Sequence, residues 1–103
     1  MGEFRTVASV EDIPATGLKG LEVDGQDIVL VRQGGEIYAL EDRCSHEEFR
    51  LSDGEMVAGQ IECALHGARF DPATGAPKAL PAVKPVRTFE CRVQDGQVQV
   101  RVD

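Results

Sequence analysis

With 103 residues, the chain is long enough for one ordinary domain and too short for a second core or a large catalytic insertion. Its 18 acidic against 11 basic side chains, a formal charge of −7, weigh against nucleic acid and anionic membrane as partners, since both draw on clustered Lys and Arg. A basic protein face suits this charge better, and keeping a small protein in solution is its plainer use.

Residues 1–14 lack a basic stretch followed by an apolar one, and no run approaches the length of a membrane span, so a cytoplasmic chain is expected. A first short strand is expected at residues 5–8, followed by one possible helical turn at 10–13. Strands then follow at 19–23, 26–32, 36–40, 55–57, 60–63, 88–94 and 97–102, each rich in β-branched or aromatic residues. The dipeptides Asp24-Gly25, Gly34-Gly35, Asp53-Gly54 and Asp95-Gly96 separate these runs and carry the hairpin signature. Four prolines, Pro72, Pro77, Pro81 and Pro85, make residues 71–87 a stiff, irregular connection. The class is therefore all-β.

The last hairpin shows its faces by alternation. Phe89, Cys91 and Val93 share one side, as do Val98, Val100 and Val102, with polar residues between them. Cys91 is accordingly expected as a buried, inert core thiol, because a free cysteine behaves as a small hydrophobe.

The remaining cysteines and both histidines fall in two loop segments, Cys44-Ser45-His46 and Cys63-Ala64-Leu65-His66. Three cysteines without an export signal argue against a disulfide framework and for metal binding. Zinc could close a tetrahedral site with two cysteines and two histidines, but its usual spacings pair Cys with Cys and His with His, whereas each pair here is mixed. In an extended segment residues i and i+2 point the same way, roughly 6.6 Å apart, which suits two ligands reaching two adjacent metal atoms. Two sulfide-bridged irons meet that requirement, with thiolates on one and imidazoles on the other. The spacing favours such a [2Fe–2S] cluster over zinc or coincidence.

Through Cys44-Ser45-His46, sixteen intervening residues and then Cys63-Ala64-Leu65-His66-Gly67, the sequence resembles the Rieske-type ferredoxins. The likeness runs from the opening strand through Leu51-Ser52-Asp53-Gly54 to the final hairpin. It implies a single Rieske domain over 1–103, built of two to three small antiparallel sheets, with a cluster-binding portion of about 41–85 whose two loops hold the cluster at one tip. It implies Cys44, His46, Cys63 and His66 as the ligands of one [2Fe–2S] cluster, and Pro81 in a loop covering it. The subgroup found in respiratory and photosynthetic complexes carries two further cysteines that bridge the loops; Phe49 and Leu65 stand in their place. That subgroup also has a serine and a tyrosine whose hydroxyls serve a cluster sulfide and a thiolate; Ala68 and Phe70 stand there instead. Fewer donors predict a potential at the low end of the Rieske range.

Gly67, directly after a proposed ligand, is expected to let the backbone turn sharply. Glu47, Glu48 and Arg50 are expected around the tip, as solvated loop or as a rim that steers a basic partner. The resemblance implies a monomeric electron carrier, not an enzyme, like the ferredoxin component of bacterial aromatic-ring-hydroxylating dioxygenase systems, with a flavoprotein ferredoxin reductase and a terminal oxygenase as partners. No GxGxxG loop for nicotinamide or flavin and no second set of iron ligands accompanies the motif. A complete oxygenase subunit would need a long catalytic domain after residue 103. A zinc-stapled domain stays open, as does a cluster-less interaction subunit resembling the small subunit of assimilatory nitrite reductase.

Overall fold

The computed structural model describes residues 3–43, 50–64, 67–79 and 84–102. Within them the strands are β1 (Phe4–Ser9), β2 (Leu18–Val23), β3 (Gln26–Gln33), β4 (Glu36–Glu41), β5 (Glu55–Val57), β6 (Gln60–Glu62), β7 (Arg69–Phe70), β8 (Pro77–Ala79), β9 (Thr88–Gln94) and β10 (Gln97–Arg101). Single 3₁₀ turns occupy Val10–Asp12 and Leu51–Asp53. Every pairing is antiparallel, in a six-stranded sheet of order β1-β10-β9-β4-β3-β2 and a four-stranded sheet of order β5-β6-β7-β8. The larger sheet joins its two halves through two register pairs, Ala39 with Phe89 and Leu40 with Thr88. The all-β expectation therefore holds.

Three of the predicted hairpin turns have the backbone that a right-twisted hairpin needs, Gly34-Gly35 among them at φ 57° and 87°. Asp24 and Gly25 lie at φ 51° and 82°, and Asp95 and Gly96 at φ 54° and 76°, the left-handed pair of a type I′ turn. Asp53-Gly54 is different: it ends the 3₁₀ turn Leu51–Asp53 and leads into β5, with Gly54 at φ −88°. The β5–β6 hairpin turns instead at Ala58-Gly59, where Ala58 takes φ 51°. Alanine carries no turn signal, so composition pointed to the wrong dipeptide.

The segment predicted as an irregular connection contains β8, which pairs Pro77 with Phe70 and Ala79 with Arg69. Pro77 can sit in a strand because β8 is the edge of its sheet, where one side of the backbone needs no ladder partner. Its partner β7 is only two residues long, too short for any alternation to show.

Strand β3 is the centre of the packing. Ile28, Val29, Leu30 and Val31 are all fully buried, and the period of two sends them to opposite sides. Val29 and Val31 join a cluster with Leu18, Leu40, Leu51, Ile61, Cys63, Ala68, Phe70 and Val86. Ile28 and Leu30 join another with Ile13, Val23, Ala39, Phe89, Val98 and Val100.

The apolar face of the last hairpin is buried at Val98 and Val100 of β10 but only at Phe89 of β9. Phe89, Val98 and Val100 are buried, whereas Val93 is 48% exposed and Cys91 is half-buried. The expectation of a continuous core face, with a fully buried Cys91, is corrected accordingly. Alternation fixes which way a side chain points but not how far the second layer extends beneath it. Cys91 does pack against the second cluster, opposite Val100, and burial pushes its thiol up from 9.0 to about 11. The thiol is therefore unreactive near neutrality, as expected of a packed side chain.

The folded thiol holds its proton up to about pH 11, while an unfolded one releases it near pH 9. Stability drawn from this difference is complete below pH 9 and is lost as pH rises from there toward 11. Urea unfolding midpoints measured across this window should fall more steeply for the natural chain than for Cys91→Ala.

Candidate metal centre

Of the four ligands the sequence nominates, Cys63 lies among the described residues. Cys44, His46 and His66 lie outside them, as do Pro81, Glu47, Glu48, Phe49 and Leu65. The structure therefore shows how the ends of both ligand segments are held.

Cys63 follows β6 directly and is 1% exposed. Its backbone N–H donates to the carbonyl oxygen of Ala68 at 2.7 Å, closing the neck of the second segment. Between them Gly67 takes φ +72°, a left-handed conformation that L side chains rarely adopt. Among the described residues a Cβ built at Gly67 would meet nothing within 4 Å, so it is the backbone angle that an added side chain would strain. Just below the neck, Glu62 faces Arg69 across β6 and β7, and Arg69 Nε donates to Glu62 Oε2 at 2.8 Å. On its other side Glu62 faces Glu55, so Arg69 offsets one of two apposed carboxylates.

The first segment is held at both ends. Asp42, 3% exposed, follows β4 and is the buried charged residue among those described. Its Oδ1 accepts the backbone N–H of Ser52 at 2.7 Å and its Oδ2 accepts the Ser52 hydroxyl at 2.6 Å. The next residue before Ser52 is Leu51, fully buried in the same cluster as Cys63, Ala68 and Phe70. The Arg50 guanidinium lies 3.7 Å from Asp27 and 3.9 Å from Asp42. Arg50 is exposed beside the acids at the end of the larger sheet, while Glu47 and Glu48, the rest of the expected rim, lie outside the described residues.

The two segments meet at their roots. Gly54 packs so closely on β6 that a Cβ there would stand 2.0 Å from the Glu62 carbonyl oxygen. An open hollow between them is lined by Asp53, Gly54, Glu55, Glu62, Cys63 and Ala64. Sequence reasoning did not single out Asp42, and it named Ser52 only within Leu51-Ser52-Asp53-Gly54, with no role of its own. The available signal was an acidic residue two before the first motif and a hydroxyl ten residues on, which carries no period.

The donor set suits an iron–sulfur cluster. Cys63 offers a soft sulfur from a water-poor position, backed by apolar Leu51, Ile61, Ala68 and Phe70, and the backbone beside it is fixed by a hydrogen bond and a left-handed glycine.

Residues 3–90 match the family described as the Rieske [2Fe–2S] domain. The anthranilate 1,2-dioxygenase ferredoxin subunit of Burkholderia cepacia is 44% identical over 92 residues, spanning 89% of this chain and 82% of that protein. Among solved structures, the ferredoxin of carbazole 1,9a-dioxygenase from Nocardioides aromaticivorans IC177 matches with a TM-score of 0.88 at 38% identity, covering 94% of this chain and 95% of its own. A chain in the complex of reduced oxygenase and oxidized ferredoxin in carbazole 1,9a-dioxygenase matches with a TM-score of 0.87 at 31% identity, over 95% of this chain and 92% of its own.

Two glycines at the roots should respond differently to the same substitution. Gly54→Ala forces backbone apart and should cost about 3 kcal/mol, the upper end for overpacking. Gly67→Ala meets no neighbour among the described residues and should cost about 1–2 kcal/mol through its backbone angle. Denaturant titration of both variants measures the contrast.

Proposed function

Because this chain belongs to the Rieske [2Fe–2S] domain family, we propose that it works as the ferredoxin of an aromatic-ring dioxygenase system, taking single electrons from a flavoprotein reductase and delivering them to a terminal Rieske non-haem iron oxygenase. It is an electron-transfer component and not an enzyme. The observation that carries this reading is the paired Cys-x-His and Cys-x₂-His motif on a chain whose match to the family runs from residue 3 to residue 90. Cys44 and Cys63 hold one iron and His46 and His66 the other, within a single domain over 1–103 whose cluster-binding portion is about 41–85. When bound, the cluster takes up and gives back one electron at a time.

The chain's own residues set the conditions for that exchange. Cys63 is supported by Leu51, Ile61 and Phe70, which keep water from the thiolate side. Ala68 and Phe70, both fully buried, bring no hydroxyl to this region. Every hydrogen bond to sulfur favours the added electron, so their absence lowers the potential to roughly −150 mV, the bottom of the Rieske range. The net charge of −7 steers basic faces of reductase and oxygenase toward the carrier. Val93 is the exposed large hydrophobic among the described residues, which supports a monomer that docks briefly. No helix among those residues is long and apolar enough to cross a membrane, and the working place proposed is the cytoplasm.

Elemental analysis of anaerobically prepared protein should find about two irons and two acid-labile sulfides per chain. Zinc, or neither element, would sink the reading in favour of a stapled or cluster-less interaction subunit. Cys63→Ser and His46→Ala should each remove the visible absorption. Potentiometric titration followed by electron paramagnetic resonance should give a value near the bottom of the range, and Ala68→Ser with Phe70→Tyr should raise it. Adding salt should slow electron delivery to the oxygenase, as screening weakens the steering.

A further inference from the structure

We propose that Asp42 and Ser52 are positioning residues, a clamp that closes the neck of the first ligand segment and governs how firmly the cluster is retained. The inference rests on the reading above, in which residues 44–49 carry two of the ligands.

The clamp consists of two short hydrogen bonds to a carboxylate whose side chain is fully shielded from water. Charge-assisted bonds of this length are among the stronger non-covalent links, and a buried carboxylate without them would be costly. They join positions ten residues apart, so that the interval between Asp42 and Ser52 is closed at its base. The Ser52 N–H lies in the first turn of the 3₁₀ segment Leu51–Asp53, whose own preceding residue, Arg50, supplies no side-chain cap. Asp42 therefore caps that turn from across the chain.

Both partners are themselves fixed. The Asp42 N–H donates to the carbonyl oxygen of Asp27 at 2.9 Å, tying it to β3, and Leu51 anchors the other side in the core beside Cys63. Strand β2 makes room for the clamp through Gly20, where a Cβ would stand 2.6 Å from Ser52 Oγ and 2.8 Å from Asp42 Oδ2. A bond needed only for general stability could lie anywhere in the fold. This one spans the ends of one ligand segment and is roofed by a glycine from a strand outside it.

The clamp can be opened from either side. Ser52→Ala removes the hydroxyl donor, and Gly20→Ala wedges the pair apart without touching the ligand segment. Ser52→Thr keeps the hydroxyl and serves as the conservative rescue. Val98→Ala, in the cluster on the opposite side of β3, lowers global stability but leaves the clamp alone. The readout is the rate at which the holoprotein loses iron to an excess of chelator, followed by bleaching, alongside the urea midpoint of each variant. Ser52→Ala and Gly20→Ala should release iron about tenfold faster than the natural chain, as expected for a lost hydrogen bond to a charged group. Ser52→Thr should stay near the natural rate, and Val98→Ala should lower the midpoint without a matching rise in release. Release at the natural rate in Ser52→Ala, or release that simply tracks the midpoint in every variant, would overturn the clamp while leaving the cluster in place. A natural chain purified without iron and sulfide would instead overturn the ligand reading, and the clamp with it.

Discussion

The architecture depends on one strand being buried on both faces. Ile28, Val29, Leu30 and Val31 exclude water from both sides of β3, so each alternate side chain belongs to a different apolar cluster. A slip of this strand by one residue would carry Asp27 or Arg32 into a buried position, so its register is fixed by the charges that flank the apolar run. Everything that borders the proposed metal centre is referred to it. Leu51 at the end of one segment, and Cys63 with Ala68 at the neck of the other, rest on the same cluster as Val29 and Val31. The smaller sheet is therefore seated on the larger one by its apolar face, and the ligand segments emerge from that seat.

Close backbone approach completes the seating. Gly54 lies against the Glu62 carbonyl, and Gly20 lies against the Asp42–Ser52 pair, each at a distance that a single methyl would violate. Packing at such contacts is not continuously adjustable, since a well-filled interior offers few alternative arrangements. An electron carrier gains from this, because exchange is fastest when the surroundings of the metal change little between its two states.

Much of this was legible in the sequence, for reasons that can be named. The order of β1 to β6 and of the final hairpin followed from β-branched runs punctuated by Asp-Gly and Gly-Gly, although Asp53-Gly54 ends a 3₁₀ turn and makes no hairpin. The paired Cys/His motif was readable because a metal demands fixed residue types at fixed spacing. What escaped had no local signature. Arg69–Phe70 and Pro77–Ala79 form strands only because each finds a partner in the smaller sheet. Ala58 accepts a left-handed angle that its composition never announces. Val93 reads as core by alternation yet is exposed, because β4 pairs with β9 only at Thr88 and Phe89, whereas its partner Val98 lies between β9 and β1 and is buried. Asp42 and Ser52 meet across ten residues that follow no repeat, so only three dimensions bring them together.

The charges near the proposed centre bear on its potential in the same direction as the missing hydroxyls, but with less force. Asp53, Glu55 and Glu62 line the hollow beside Cys63, and negative charge there opposes the arrival of an electron. Arg69 offsets Glu62 directly, and the hollow is open to water, whose high dielectric and dissolved ions weaken what remains. Ala68 and Phe70 are fully buried, so an absent hydroxyl there is not replaced by solvent. If the cluster is held as proposed, the buried pair outweighs the carboxylates in setting how readily the electron is accepted, while the carboxylates act mainly outward, on whatever basic surface approaches.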